Sequence, residues 1–195
     1  MKNCVNLASI SAAMNCVDVD NRAGIVSRIL FGYSDDVGAW PELPSPTTEA
    51  GMSMEEAGKW KGELAMKQGK CLYEMHFTDE TGNLVITDQG EKGGESFLYD
   101  LNIVRAKINA ELAGFENAVK GRNLVIIAQD RNGIKYLMGD ELSPALKVAG
   151  DGSNTGTTGT DRNQTTLKFQ YACPRKLVYE GDLDSLLAKA PGDTD

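Results

Sequence analysis

Asn123-Leu-Val-Ile-Ile-Ala-Gln-Asp-Arg-Asn-Gly-Ile-Lys-Tyr-Leu-Met-Gly139 is the stretch from which the fold is read. Leu124 to Gln129 is a short, β-branched apolar run, the pattern of a buried strand. Asp130-Arg131-Asn132-Gly133 follows, and Asn-Gly supplies the positive φ angles that a tight hairpin turn needs. Ile134 to Met138 then returns as the partner strand, and Gly139 ends it.

Upstream, Arg105 to Lys120 predicts a helix. Ile108, Leu112, Phe115 and Val119 recur at spacings of four, three and four, so they form one apolar stripe for packing. Gly121 stands where a C-terminal cap belongs. Before it, Ser96 to Val104 alternates as a strand with Phe97, Tyr99, Leu101 and Ile103 on one face. Cys71 to Thr78 and Leu84 to Thr87 read as two strands joined by a turn at Glu80 to Asn83, which predicts a hairpin. Gly24 to Tyr33 is the first strand. Downstream, Gly150 to Thr160 contains only Gly, Thr, Ser, Asn and Asp and predicts a flexible loop within a 150–164 segment. Thr165 to Ala172 alternates again with Leu167, Phe169 and Tyr171 inward, and Leu177 to Tyr179 is a further short strand.

Three segments escape this pattern. Residues 1–20 form an N-terminal arm or short helix, with Leu7, Ile10 and Met14 as its apolar positions. Residues 34–66 read as a long irregular insertion, because Pro41, Pro44 and Pro46 forbid a regular strand or helix around them. Within its end, Met54 to Gln68 has helix-forming residues interrupted by Gly58 and Gly62. Residues 181–195 are an acidic tail with a brief helical stretch, expected to fray. The expectation is therefore a mainly β (α+β) fold in one domain, residues 1–195: a sandwich or barrel with one amphipathic helix laid against it and long extended loops.

Composition narrows the function. The chain has 195 residues, 41% apolar and 25% charged, as a globular protein does. Its net charge of −8 argues against broad binding to nucleic acid or an anionic membrane, both of which need a basic footprint. The start lacks the apolar run of a signal peptide, and Leu124 to Ala128 is far too short to span a bilayer. The expectation is a chain made in the cytoplasm, with Cys4, Cys16, Cys71 and Cys173 as reduced thiols.

Chemistry is sparse. Cys71 and His76 are five residues apart, but a structural zinc site needs a second ligand pair. His76 is the single histidine, no Gly-x-Ser-x-Gly elbow occurs, and no lysine follows the Gly150–Thr160 glycines as a phosphate loop requires. The acid pairs Asp18/Asp20, Asp35/Asp36, Asp79/Glu80 and Asp182/Asp184 read as solvated loops. No enzyme activity, metal or cofactor is expected.

The Asn123–Gly139 run, with its Asp-x-Asn-Gly turn, is joined by Thr160-Asp-Arg-Asn-Gln-Thr-Thr-Leu-Lys-Phe169 and by Gly24-Ile-Val-Ser-Arg-Ile-Leu-Phe-Gly-Tyr-Ser-Asp-Asp-Val37. Together they resemble structural proteins of tailed bacteriophages infecting Bacteroidetes-type hosts, tail tube proteins above all, over residues 16 to 180. That resemblance implies a virion protein, made in the bacterial host cytoplasm and placed in the tail. It implies homo-oligomeric, hexameric rings stacked into a tube, with other tail and connector proteins as partners. DNA would pass through without specific binding, and no membrane is involved. Lumen-facing acids would repel phosphate, and Asp79, Glu80, Asp88, Glu91 and Glu95 are the candidates, in a loop with one lysine. Trp40, Pro41, Pro44 and Trp60 are candidate inter-subunit contacts. A tail terminator or head–tail joining protein is the close alternative. A monomeric β-sandwich module binding carbohydrate through Trp40 and Trp60, and a small enzyme built on His76, are the others.

Overall fold

The strand Ile25–Tyr33 (β1) follows Gly24 and runs between two partners, with Leu30 opposite both Glu74 and Ile127. The structure, a computed structural model, describes residues 5–10, 21–45 and 51–187. In chain order the further elements are β2 (Val37–Ala39), α1 (Met54–Ala57), β3 (Ala65–Met66), β4 (Tyr73–His76), β5 (Asn83–Gln89), β6 (Ser96–Ala106), α2 (Ala110–Val119), β7 (Leu124–Asp130), β8 (Lys135–Met138), β9 (Leu146–Asn154) and β10 (Gln164–Cys173). They make two four-stranded antiparallel sheets, ordered β4-β1-β7-β8 and β5-β6-β10-β9, with β2 and β3 as a small pair. The mainly β fold with one packed helix is as expected.

The hairpin β7–β8 forms at the Asn-Gly turn, in the register Gln129 to Lys135. Asp130 reinforces the turn, its Oδ1 accepting from the backbone of Asn132 and Ile134. Leu124 through Ala128 are all buried. A strand buried at successive residues is covered on both faces. One cover is the second sheet, whose Tyr99, Leu101, Ile103, Leu167, Phe169 and Tyr171 share the core with Ile29, Ile126 and Met138. Irregular chain supplies the other. Leu72 N–H donates to Leu186 at 2.7 Å, Tyr179 N–H to Lys135 at 2.9 Å, and Trp60, Leu64, Leu183 and Leu186 are buried in the same core.

Helix α2 is shorter than its sequence suggests. Arg105 and Ala106 still belong to β6, because β10 continues pairing there through Thr165 and Gln164. Asn109 is the N-cap, its Oδ1 accepting from Leu112 N–H at 2.8 Å. Ile108 therefore lies before the helix, half-buried, and the packing stripe is Leu112, Phe115 and Val119. Phe115 meets the Phe31 ring edge-on at 5.0 Å. Gly121 takes φ +66° just past the last turn, as a C-terminal cap does.

Four other expectations change. β4 and β5 are not a hairpin: β4 pairs with β1, and β5 pairs with β6. The chain crosses between sheets instead, with Thr78 N–H on the Val104 carbonyl and Thr78 Oγ1 accepting from Ala106. The 150–164 segment is strand as far as Asn154, since β9 pairs with β10 along the backbone, with Ser153 and Thr165 hydroxyls 2.7 Å apart, and its pairing shifts register at a bulge. What remains as loop is stapled by Asp161, whose Oδ2 accepts from Thr157 and Thr158. The 34–66 insertion holds β2 and β3, which pair with one another from either side of the prolines, and the single turn α1, capped by Ser53 and Glu56 and stopped at Gly58. The start of the tail is docked rather than frayed, with Leu183 and Leu186 buried around a 3-10 turn at Asp184–Leu186.

Residues 5–10 are not helical; Asn6 bridges Ser53, with its N–H on Met52 at 2.9 Å. Leu177–Tyr179 makes isolated bridges to Lys59 and Lys135 instead of a full strand. Cys4, Met14, Cys16, Asp18, Asp20 and Pro46 lie outside the described residues, as do 188–195.

Candidate assembly surface

The second sheet is the functional candidate because its outer face is partly exposed and, among the described residues, β5 has no strand partner beyond β6; at the other edge α2 reaches β9 through Glu116 and Lys147 at 3.2 Å. Alternation places Tyr99, Leu101 and Ile103 inward, so Leu98, Asp100, Asn102 and Val104 of β6 face out, beside Thr166, Lys168, Gln170 and Ala172 of β10. Asp100 is the hub of this face. Its carboxylate accepts from Lys168 Nζ at 2.7 Å, Gln170 Nε2 at 3.1 Å and Asn102 Nδ2 at 3.1 Å. The two central charges therefore pair, and the rest of these two strands' outer face is uncharged.

β5 and β9 are the edges. Edge strands in monomeric proteins are blunted by lysine, proline or bulges, because unpaired backbone groups recruit other chains. β9 carries Lys147 and a bulge. β5, Asn-Leu-Val-Ile-Thr-Asp-Gln, has neither lysine nor proline, pairs with β6 in unbroken register over seven residues, and leaves Val85 40% exposed. Directions follow from the pairing. β5 opposes β6, β6 opposes β10, and β10 opposes β9, so β5 and β9 run opposite ways. A second copy repeated beside the first would set its β5 antiparallel to β9.

The five candidate acids do not form one loop. β5 lies among them, and seven residues at ~3.3 Å each separate Asp79 and Glu80 from Asp88, Glu91 and Glu95 by roughly 20 Å. Asp79 accepts from the Ser27 hydroxyl, which with Arg131 at 3.4 Å holds its carboxyl below the usual range. Glu80 lies 3.9 Å from the same guanidinium. Asp88, Glu91 and Glu95 are exposed around the β5–β6 turn with exposed Lys92 among them, a local excess of negative charge at this end.

The proposed contact residues separate as well. Trp60 is 6% exposed, and Pro41 and Pro44 are buried, so their surface is consumed inside the chain; only Trp40 is half-exposed. That removes the two-tryptophan platform on which a carbohydrate module would rely. His76 is an exposed strand residue 3.8 Å from Glu74. Among the described residues no three His, Cys, Asp or Glu side chains gather as a metal site. Among them, too, no helix is long and apolar enough to cross a membrane.

Two features escaped sequence reading. Buried Asp140 accepts from the Tyr171 hydroxyl at 2.7 Å and from Leu142 and Ser143 N–H at 2.8 and 2.6 Å, pinning the end of the first sheet to β10. Burial pushes the Tyr171 hydroxyl far up, so it stays a donor. The Asp140-x-x-Ser143 spacing is an Asx-turn signal, but its tyrosine partner is 31 residues away. The second feature is an apolar cavity of about 210 Å³ between α2, β1 and Tyr73. Comparison with protein-family models, with curated proteins and with solved structures found no match.

Proposed function

We propose that the chain is a self-assembling structural protein of a phage virion, a tail tube subunit whose copies join edge to edge into rings. The observation that carries this reading is the bare, unprotected β5 edge lying antiparallel to β9 across a four-stranded sheet. With an even number of strands, each added copy extends the same antiparallel ladder, and a rotation that closes makes a ring. Six copies would close about twenty-four strands, wider than the 16–18-stranded barrels that already enclose an aqueous channel. The nearly neutral outer face and the acidic β5–β6 turn suit passage of DNA without adhesion, since carboxylates repel phosphate. A tail terminator would use the same edges and stop at one ring.

The test is to concentrate the full chain and examine it by negative-stain electron microscopy with light scattering. Rings or hollow tubes of uniform width are expected, and tubes against single rings separate subunit from terminator. A monodisperse monomer at every concentration would overturn the reading.

A further inference from the structure

At the tip of the β7–β8 hairpin, the carboxamide of Asn132 holds the chain that leads into β1. Its Oδ1 accepts from the Arg22 N–H at 2.8 Å, and its Nδ2 donates to the Arg22 carbonyl at 3.1 Å and to Asn21 Oδ1 at 3.2 Å. One side chain thus makes the pair of bonds to Arg22 that a neighbouring strand would make. These partners fix which way the amide faces, because the reverse would set its NH2 against an N–H and its oxygen against two oxygens. Arg131 N–H, on the Gly24 carbonyl at 3.1 Å, adds a further bond. The hairpin tip therefore clamps residues 21–24 just before β1 begins at Ile25.

Asn132 is also the one asparagine of the sequence that precedes a glycine. Both residues are exposed, Gly133 takes φ +90°, and no atom beyond its chain neighbours lies within 4 Å of where a Cβ on it would stand. With no side chain in the way, the Gly133 nitrogen has a clear approach to Cγ of Asn132. Attack there forms a new N–Cγ bond and breaks the Cγ–Nδ2 bond, and the Gly133 amide proton leaves with Nδ2 as ammonia. Water then opens the cyclic imide at one carbonyl to give aspartate, or at the other to give isoaspartate, in which the side-chain carbon has joined the backbone. Water is the only co-reactant. The turn itself holds the reaction back. Gly133 N–H is bound to the Asp130 carbonyl at 3.1 Å and Asn132 N–H to Asp130 Oδ1 at 2.9 Å, so the reaction waits on opening of the tip. Exposed loops open at lower free energy than the core strands that carry them.

We infer that Asn132 is a self-modification site, and that loss of its amide releases the clamp on Asn21 and Arg22. The aspartate product still accepts from the Arg22 N–H, but it has no donor. Asn21 can turn its own amide to face the new carboxylate. The Arg22 carbonyl has no such freedom, and at 3.1 Å it meets an oxygen in place of an N–H. Isoaspartate carries an additional carbon through the turn and draws the carboxylate away from both groups. The change is one-way. It acts on the attachment of the segment before β1 and does not rest on the reading of the chain as self-assembling.

The test holds the full chain at mildly alkaline pH over days and follows every asparagine by peptide mass spectrometry, with ammonia measured alongside. Conversion at Asn132 ahead of all other asparagines is expected, and faster conversion in urea, where the bonds of the turn are gone. The aged chain and the Asn132→Asp variant are then compared with fresh wild type by amide hydrogen exchange. Loss of one backbone hydrogen bond predicts exchange at Arg22 faster by about threefold or more, with the buried amides of β7 unchanged. Asn132→Ala, which removes all three side-chain bonds, should accelerate Arg22 further. The aged wild-type chain, folded when it converts, gives the reading if either variant does not fold. Conversion at Asn132 no faster than at the other asparagines overturns the inference, and so does Arg22 exchange in the converted chain that equals fresh wild type.

Discussion

Replacing Tyr171 with Phe removes one hydroxyl and nothing else, which makes it a sharp probe of how the two sheets are held together. The hydroxyl donates to the buried Asp140 carboxylate at 2.7 Å, a side-chain bond between the β8 end and β10. Hydrogen bonds to a charged group contribute about 1.5–3 kcal/mol. In Tyr171→Phe the carboxylate keeps its two backbone donors from Leu142 and Ser143, so the loss stays within that range. For a chain of this size each kcal/mol lowers the thermal midpoint by about 2–4 °C, giving a fall of roughly 3–12 °C. Asp140→Ala must be worse, because it strips the acceptor from three donors and leaves the Tyr171 hydroxyl buried and unpaired. The double variant should then cost less than the sum of the two, with a coupling near the Tyr171→Phe value. Urea unfolding followed by circular dichroism measures all three. A Tyr171→Phe change below about 0.5 kcal/mol, or strict additivity, would refute the pin.

Val85→Lys places a charge on the bare β5 edge. It should abolish assembly in light scattering while moving the unfolding midpoint by less than about 0.5 kcal/mol, since Val85 is partly exposed. Gly82→Ala puts a Cβ into the Phe77 ring and Ile25 where the chain crosses between sheets, so a loss of about 1–3 kcal/mol is expected in urea unfolding, and an unchanged midpoint would show that the crossing relaxes freely. Acid should destabilise the monomer. Asp79, Asp161 and Asp182 lie below their usual 3.8 and Glu56 below 4.5, held there mainly by hydrogen bonds from Ser27, from Thr157 and Thr158, from Asp184 and Ser185, and from Ser53. A depressed folded-state value means the native chain binds fewer protons than the unfolded one. The contribution is complete above pH ~4.5 and is lost as pH falls through the folded values, so urea midpoints should be flat from pH 7 to 5 and drop toward pH 3.

Much of the frame was legible in the residues. The β7–β8 hairpin was encoded locally by an apolar run and Asn-Gly, β1 by a β-branched apolar run, and β6 and β10 by alternation that the core uses as written. The helix was legible as an apolar stripe, but its start was not, because Arg105 and Ala106 are held in β6 by β10 residues some sixty positions away. The same limit misassigned β4 and β5. Glu80 to Asn83 suits a hairpin turn, yet the choice of sheet depends on Thr78 meeting Val104. The second half of β9 was hidden because Gly150, Gly152 and Ser153 give no alternating apolar pattern, and the Thr165 that Ser153 meets at 2.7 Å is twelve residues away. The acids of the 79–95 stretch looked like one cluster because sequence distance ignores that a strand carries its two ends apart. Trp60 looked like a contact residue because an aromatic flanking an irregular segment signals burial without saying in which molecule.

If β5 and β9 join neighbouring copies, backbone amide hydrogen exchange reads that joint directly. With the full chain compared dilute and concentrated, residues 83–89 and 146–154 should gain protection on concentration while the amides of β7, already buried, stay unchanged. Exchange in those two edges that is the same at both concentrations, with or without protection appearing elsewhere, would contradict it.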